Sequence, residues 1–289
     1  MRLLMLFLLL LLPGCAEARE QPTTVRPALW KLADDDTTVW LFGTIHLMPA
    51  NVQWLEPPVS DAFEKADELV IEADVPEGSN QDVVTRLAFD PAALPLDQRL
   101  PPDLAQATRA ALDAYGVPPA VYEKAELWYL AVILETLMYR QIGLDPGNGV
   151  DNVLVEVARR SGKTIVPLES FEQQLGFFDG LSEADQIAML RSTVQETKES
   201  PDRIRVLLDA WEAGDEAALG RVMNKNMEAD SPLRSVLLDD RNAHWARWID
   251  ARMARPGTIF VAVGAGHLAG RGNVRELLEQ KGWTIERVQ

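Results

Sequence analysis

Cysteine and histidine are the side chains that this sequence uses least. Its 289 residues include one cysteine, Cys15, and three histidines. Because no cysteine follows position 15, the rest of the chain has no structural disulfide and no thiolate metal site. The chain also lacks an HExxH helix and a Gly-x-Ser-x-Gly elbow. These absences exclude the common zinc-protease arrangement and a serine esterase.

Positive charge is scarce as well. The chain carries 28 Lys and Arg residues against 44 Asp and Glu, which gives a formal net charge of −16. Such an excess of negative charge argues against nucleic acid and against an anionic membrane surface as partners. The partner expected from composition and motifs together is a peptide or small-molecule substrate.

The N-terminus has a short apolar run in place of a membrane span. Residues 3–12 are almost purely leucine and follow Arg2, a pattern typical of the apolar core of a secretory signal and too short to cross a bilayer. Residues 12–15, Leu-Pro-Gly-Cys, resemble the lipobox of bacterial lipoproteins, which implies lipidation of Cys15. Cleavage after Ala18 by ordinary signal peptidase is the alternative. We expect export to the bacterial cell envelope, in the periplasm, with lipid anchoring to the outer membrane as the membrane contact.

Domain organisation follows from the absence of an internal linker. Residues 1–15 are predicted to be the signal and 16–27 a polar tether, and no Gly/Ser-rich or Pro-rich segment divides residues 28–289. Strand patterns at both ends of this region, with helical patterns at about 80–145 and 170–253, predict an α/β fold. We expect a single domain with a mixed, parallel-rich sheet built from two α/β halves, with a large helical insertion between them.

A sequence motif that occurs twice indicates where the functional site lies. Residues 37–49 (TTVWLFGTIHLMP) and 258–268 (TIFVAVGAGHL) each run from an apolar, β-branched segment into Gly-x-x-His. Glycine after a buried strand permits a sharp turn, and open α/β sheets bind ligands beyond the carboxyl ends of their strands. We therefore expect His46 and His267 to meet in one site.

Carboxylates end two further predicted strands. Glu72 lies in the apolar segment of residues 68–75, and Glu169 directly follows the segment of residues 164–168. A carboxylate at the end of a buried run must be paired, coordinated or protonated, so both are candidates for the site, whereas Asp74 is expected to be exposed. Asp151, in the first turn of a predicted helix, is interpreted as a carboxylate that complements the helix dipole, in preference to a catalytic role.

The predicted helix before the second motif combines an apolar stripe with polar residues. Arg241 and Asn242 lie on or beside this stripe and need buried acceptors, which Glu72 and Glu169 would supply. His244 points about 120° away and is expected at the surface. The stripe consists of Leu238, Asn242, Trp245, Ile249 and Met253.

These motifs together resemble the TraB/GumN family. The resemblance implies a metalloprotease-like protein with the Gly-x-x-His histidines and a glutamate at the active site, on a fold similar to erythromycin esterases and ChaN-like haem-binding proteins. The segments that carry it are residues 43–46 with Pro49, Glu72, residues 149–151, residues 168–169, residues 241–242, and residues 264–267 with Gly270 and Val274.

Three kinds of chemistry remain open. In the first, His46, Glu72 and His267 hold a divalent ion (Mn, Co or Zn) that activates water for hydrolysis of an amide or ester, and Arg241 stabilises the oxyanion. In the second, His46 is a metal-independent general base oriented by Glu72. In the third, the site binds a peptide, haem or metallated cofactor without catalysis. The candidate catalytic residues are His46, Glu72, Glu169, Arg241, Asn242 and His267.

Overall fold

The computed structural model of the chain describes residues 23–74, 80–197, 202–223 and 231–289. The predicted signal segment and Cys15 lie outside these ranges, so export and lipid anchoring stay predictions. Within the described ranges, no helix has both the length and the apolar character needed to cross a membrane.

One mixed sheet organises the described residues. Its strand order is β6-β5-β7-β3-β2-β8, and two short strands, β1 and β4, pair separately. The strands are β1 (Thr23–Thr24), β2 (Leu29–Ala33), β3 (Thr37–Thr44), β4 (Val52–Gln53), β5 (Glu68–Asp74), β6 (Thr164–Ser170), β7 (Gly257–Gly264) and β8 (Ile285–Arg287).

The four neighbouring strands β6, β5, β7 and β3 run parallel, and β2 and β8 are antiparallel to their neighbours. This confirms the predicted α/β fold with a mixed, parallel-rich sheet in a single domain. The strands from the two ends of the chain interleave, since β7 lies between β3 and β5. As a result, the two strands that precede the Gly-x-x-His turns are direct neighbours.

Helices fill the regions where the sequence has helical periodicity. A π-helix spans Ser235–Asp239, and short 3-10 helices span Pro146–Asn148 and Ala265–His267. The α-helices are α1 (Val59–Lys65), α2 (Gln81–Ala88), α3 (Leu96–Arg99), α4 (Pro102–Ala114), α5 (Pro119–Tyr122), α6 (Leu127–Gln141), α7 (Val150–Ser161), α8 (Phe171–Asp179), α9 (Glu183–Glu196), α10 (Asp202–Glu212), α11 (Glu216–Met223), α12 (Pro232–Arg234), α13 (Asp240–Arg252) and α14 (Val274–Gln280).

Both faces of the sheet are covered, as expected for parallel strands. Because side chains alternate along a strand, Phe42 and Phe260 face α1 and α7, whereas Leu41 and Val261 face α13 and α14. Each of these side chains is buried and contributes about 1.5–3 kcal/mol of hydrophobic stabilisation. Helices α3 to α6 and α9 pack around a third apolar cluster of their own, so the helices beside the sheet have an independent core.

Candidate functional site

The carboxyl ends of the four parallel strands lie along one edge of the sheet. Thr44 at the end of β3 pairs with Gly264 at the end of β7, and Ala73 of β5 pairs with Glu169 of β6. This edge therefore presents the two Gly-x-x-His turns and both strand-end glutamates together, as the sequence predicts.

Two glycines allow the turns and a helix to approach closely. A Cβ atom on Gly43 would lie 3.1 Å from Cα of Ala265 in the second turn, and one on Gly149 would overlap the backbone carbonyl of His46. The amide of Val150 donates to the carbonyl of Ile45 at 2.9 Å. The start of α7 thus docks directly on the backbone of the first turn, which only glycine permits.

His46 lies at the solvent side of the site and pairs with Asp151. Its Nδ1 is 2.7 Å from Oδ2 of Asp151, and the other oxygen of that carboxylate accepts a hydrogen bond from the hydroxyl of Thr44. The Asp151 charge raises the pKa of His46, although the side chain is 63% exposed and water weakens such an interaction. The sequence placed Asp151 correctly in the first turn of α7 but missed its two partners.

His267 lies in a different environment. It is buried, and its Nδ1 is 2.6 Å from Oδ1 of Asn242. The amide group of Asn242 donates to the carbonyl of Gly272 at 2.9 Å, so its oxygen faces the ring and Nδ1 carries the proton. Burial lowers the pKa of His267 to about 4, outweighing the opposite effect of Glu72. His267 is therefore neutral at pH 7, with the lone pair on Nε2.

Arg241 binds the two strand-end glutamates beneath this ring. Its Nη2 donates to Oε2 of Glu72 at 2.7 Å and to Oε2 of Glu169 at 2.8 Å, and its Nε donates to Oε1 of Glu169 at 2.9 Å. Its Nη1 is 3.1 Å from Nε2 of His267. The three charged side chains are each at most 9% exposed. The sequence predicted these buried acceptors for Arg241.

The two glutamates accept further hydrogen bonds from other residues. Oε1 of Glu72 accepts from the amide of Gly264 at 2.7 Å, and Oε2 accepts from Gln174 at 3.0 Å. Burial by itself raises the pKa of Glu72, but the interactions with His267, Arg241 and His46 outweigh burial and lower the pKa to about 2. The indole of Trp245 donates to Oε1 of Glu169 at 3.1 Å. Both carboxylates are therefore held in fixed orientations.

The three predicted metal ligands converge on one point above Gly264. A Cβ atom at that glycine would lie 3.1 Å from Oε1 of Glu72, 3.9 Å from Nε2 of His46 and 3.7 Å from Cδ2 of His267. Arg241, however, takes up acceptor atoms of both Glu72 and His267. Within the described part of the chain, no group of three or more His, Cys, Asp and Glu side chains is arranged to hold a metal ion. This arrangement does not fit a metal ion held by His46, Glu72 and His267. Metal binding by these three residues stays a prediction.

A cavity of about 610 Å³ opens beside His46 and Glu72. Asp74 is partly exposed in this cavity and pairs with Arg159 at 2.7 Å. His244 lies away from the cavity, on α13, and is exposed, as the sequence predicts. The polar residues that line the cavity are His46, Glu72, Asp74, Thr136, Asp151, Asn152, Glu156, Arg159 and Gln174.

Sequence reasoning missed several residues of the site. Asp151 and Thr44 lie within segments that carry the family resemblance, so the signal was present but was assigned to helix capping and turn formation. The sequence predicted that Trp245 lies on the buried face of its helix but did not predict its hydrogen bond to Glu169. Gln174 carries no sequence signal, because a glutamine on an amphipathic helix is ordinary.

The parallel strands of this α/β protein bring two Gly-x-x-His turns and two glutamates to one edge of the sheet, where Arg241 of α13 binds both glutamates. The model of the TraB/PrgY/gumN family matches residues 28–287. This chain belongs to that family.

Several known proteins are similar to most of the chain. The uncharacterized protein YbaP of Escherichia coli (strain K12) is 26% identical over 242 residues, covering 82% of this chain and 86% of YbaP. Metalloprotease TIKI1 of Danio rerio is 23% identical over 324 residues, covering 94% of this chain and 65% of that protein. Metalloprotease TIKI2 of Danio rerio is 23% identical over 299 residues, covering 86% of this chain and 58% of that protein. No solved structure matches the chain.

Proposed function

We propose that this protein hydrolyses an amide or ester bond, with a peptide as the expected substrate, in the cavity beside His46 and Glu72. The observation that carries the proposal is the pairing of His46 with Asp151 at the cavity wall. A carboxylate bound to Nδ1 holds a histidine ring in the orientation and tautomer in which Nε2 can act as a general base. The metalloprotease names of two relatives support a hydrolase.

In the proposed reaction, His46 acts through its other ring nitrogen. Asp151 accepts a hydrogen bond from Nδ1–H, which leaves the lone pair of Nε2 to take a proton from a water molecule as that water attacks the carbonyl carbon. The protonated ring then returns the proton to the leaving nitrogen or oxygen. Glu72 faces the same point above Gly264 and orients the water by accepting a hydrogen bond from its second O–H group.

The buried residues act indirectly in this scheme. The sequence suggested that Arg241 binds the oxyanion. Arg241 does not line the cavity, so in this scheme it keeps Glu72 ionised and oriented instead. Glu169 and Asn242 in turn fix Arg241 and His267.

A divalent ion (Mn, Co or Zn) held by His46, Glu72 and His267 is the second candidate, and the names of the two Danio rerio relatives favour it. It requires the guanidinium of Arg241 to move away from Nε2 of His267. A binding protein for a peptide or haem is the third candidate.

The test is hydrolysis of a panel of peptides and esters by the purified domain with and without a chelator. We expect turnover that survives chelation, that His46→Ala and Glu72→Gln abolish, and that His244→Ala leaves unchanged. Turnover that chelation stops and Mn, Co or Zn restores would establish the metal-dependent version. A protein that turns over none of the panel but binds a ligand through His267 would contradict the hydrolase.

We further propose that the protein acts in the periplasm of the bacterial cell envelope, anchored to the outer membrane through lipid on Cys15. The leucine run and the Leu-Pro-Gly-Cys sequence support this. Fractionation of cells should find the wild type with outer membranes and Cys15→Ala in the soluble fraction. A wild type that is soluble and begins at Arg19 would contradict the anchor.

A further inference from the structure

Arg241 occupies an unusual place for a buried cation, because the atoms around it are of the kind that bind metal ions. Its guanidinium contacts carboxylate oxygens of Glu72 and Glu169 at 2.7 to 3.2 Å and the Nε2 atom of His267 at 3.1 Å. A fourth acceptor, the backbone carbonyl of Leu237, lies 3.2 Å from Nη1. Carboxylate oxygens and a neutral imidazole nitrogen suit Mn, Co and Zn.

The acceptors are oriented toward the guanidinium by contacts of their own. Asn242 accepts a hydrogen bond from Nδ1–H of His267. The lone pair of this ring is therefore on Nε2, which faces Arg241. Trp245 and Gln174 each donate to one of the glutamates from the side. If the guanidinium were removed, two buried carboxylates and one imidazole lone pair would face a common space without a cation.

The charges in this cluster explain why a cation is needed there. Glu72 and Glu169 bring two negative charges into a buried region, and Arg241 brings one positive charge. A buried charge without a partner is very unfavourable, and the guanidinium satisfies both carboxylates with charge-assisted hydrogen bonds. A divalent ion could neutralise the same pair, but it could not share the position with the guanidinium.

We propose that the guanidinium of Arg241 takes the place of a divalent metal ion in this site. In the wild-type protein, Glu72, Glu169 and His267 therefore bind Arg241 and no metal. Shortening the side chain at position 241 converts the same three residues into a metal site. The inference concerns cation binding alone and does not depend on the proposed hydrolysis.

The experiment is titration of the metal-free domain with Co²⁺, Mn²⁺ and Zn²⁺, followed by calorimetry, with the visible absorption of bound Co²⁺ as a second readout. We expect Arg241→Ala to bind one ion at this site about 10- to 100-fold more tightly than the wild type binds any ion elsewhere, the factor by which groups that contact metal ligands alter metal affinity. Adding metal should raise the melting temperature of Arg241→Ala and leave that of the wild type unchanged. Adding His267→Ala to Arg241→Ala should abolish the gain.

Arg252→Ala is the matched control. Arg252 is a buried arginine on the same helix, 3.4 Å from Glu68, and its removal should create no metal site. If Arg241→Ala does not fold, the wild type still decides the question, because any weak Co²⁺ binding that it shows should be the same in Glu169→Gln. A wild type that binds one ion with an affinity reduced by Glu169→Gln or His267→Ala would overturn the inference, as would Arg241→Ala binding no more tightly than the wild type.

Discussion

The two Gly-x-x-His turns have the same local sequence pattern and opposite environments. His46 is exposed and its Nδ1 contacts a carboxylate, whereas His267 is buried and its Nδ1 contacts the neutral amide of Asn242. The pKa of the first is raised by Asp151, and the pKa of the second is lowered by burial. The strand and glycine of each turn place the ring, and the helix that packs on it decides its chemistry.

This difference assigns different tasks to the two rings. α7 supplies Asp151 to His46, which faces the cavity and can exchange protons with water. α13 supplies Asn242 and Arg241 to His267, which holds one tautomer within a buried network. Groups with pKa values shifted in opposite directions are typical of sites that transfer protons. Mutations that treat the two histidines differently therefore test the comparison.

The largest expected effect is on activity at the exposed turn. His46→Ala should lower kcat/KM by about 10²- to 10⁴-fold, the usual contribution of a general base. The measurement is hydrolysis of whichever substrate the panel identifies, with His244→Ala as the control. Equal rates for His46→Ala and wild type would assign the base to another residue.

The next effect is on stability at the buried turn. Arg241→Met should lower the free energy of unfolding by about 3–5 kcal/mol, because it leaves Glu72 and Glu169 buried without a counter-charge. Arg86, which pairs with Glu172 where both side chains are more than half exposed, provides the contrast, since Arg86→Met should cost about 0–1 kcal/mol. Denaturant unfolding in metal-free buffer measures both. Similar losses for the two variants would contradict the burial argument.

A smaller loss is expected from the tautomer contact of His267. Asn242→Ala leaves the buried Nδ1–H without an acceptor and should cost about 1–3 kcal/mol of stability. Asn152, which is exposed and donates to the carbonyl of Pro146, is the matched control, and Asn152→Ala should change stability by no more than about 0.5 kcal/mol. Thermal or denaturant unfolding distinguishes the two.

The smallest effect is a shift in the pH profile. A general base works in its neutral form, so kcat/KM should rise with pH through the pKa of His46, which Asp151 raises above 6.5. Asp151→Asn removes that charge, and the midpoint of the rise should therefore move to lower pH. An unchanged midpoint would show that His46 does not titrate in the rate-limiting step.

Much of the site could be predicted because its signals are local. The two apolar runs that end in Gly-x-x-His indicate strand ends, and the helical periodicity around residue 241 places Arg241 and Asn242 on a buried face. Buried glutamates were the acceptors expected for this pair. They bind Arg241, whereas Asn242 contacts Gly272 and His267 instead. The contact between His46 and Asp151 spans 105 positions in the chain, and no periodicity reports on such a pair. It depends on how α7 docks through Gly149.

By itself, the sequence determined the α/β class, the strand ends that carry the histidines and glutamates, and the buried face of α13. These features follow from side-chain periodicity and from the turn that glycine permits, which act over a few residues. Only the tertiary structure decided that β7 lies between β3 and β5, that Asp151 binds His46, and that Arg241 occupies acceptors of Glu72 and His267. These choices depend on hydrogen bonds and charges between residues distant in sequence, which form only when the sheet and its helices pack together.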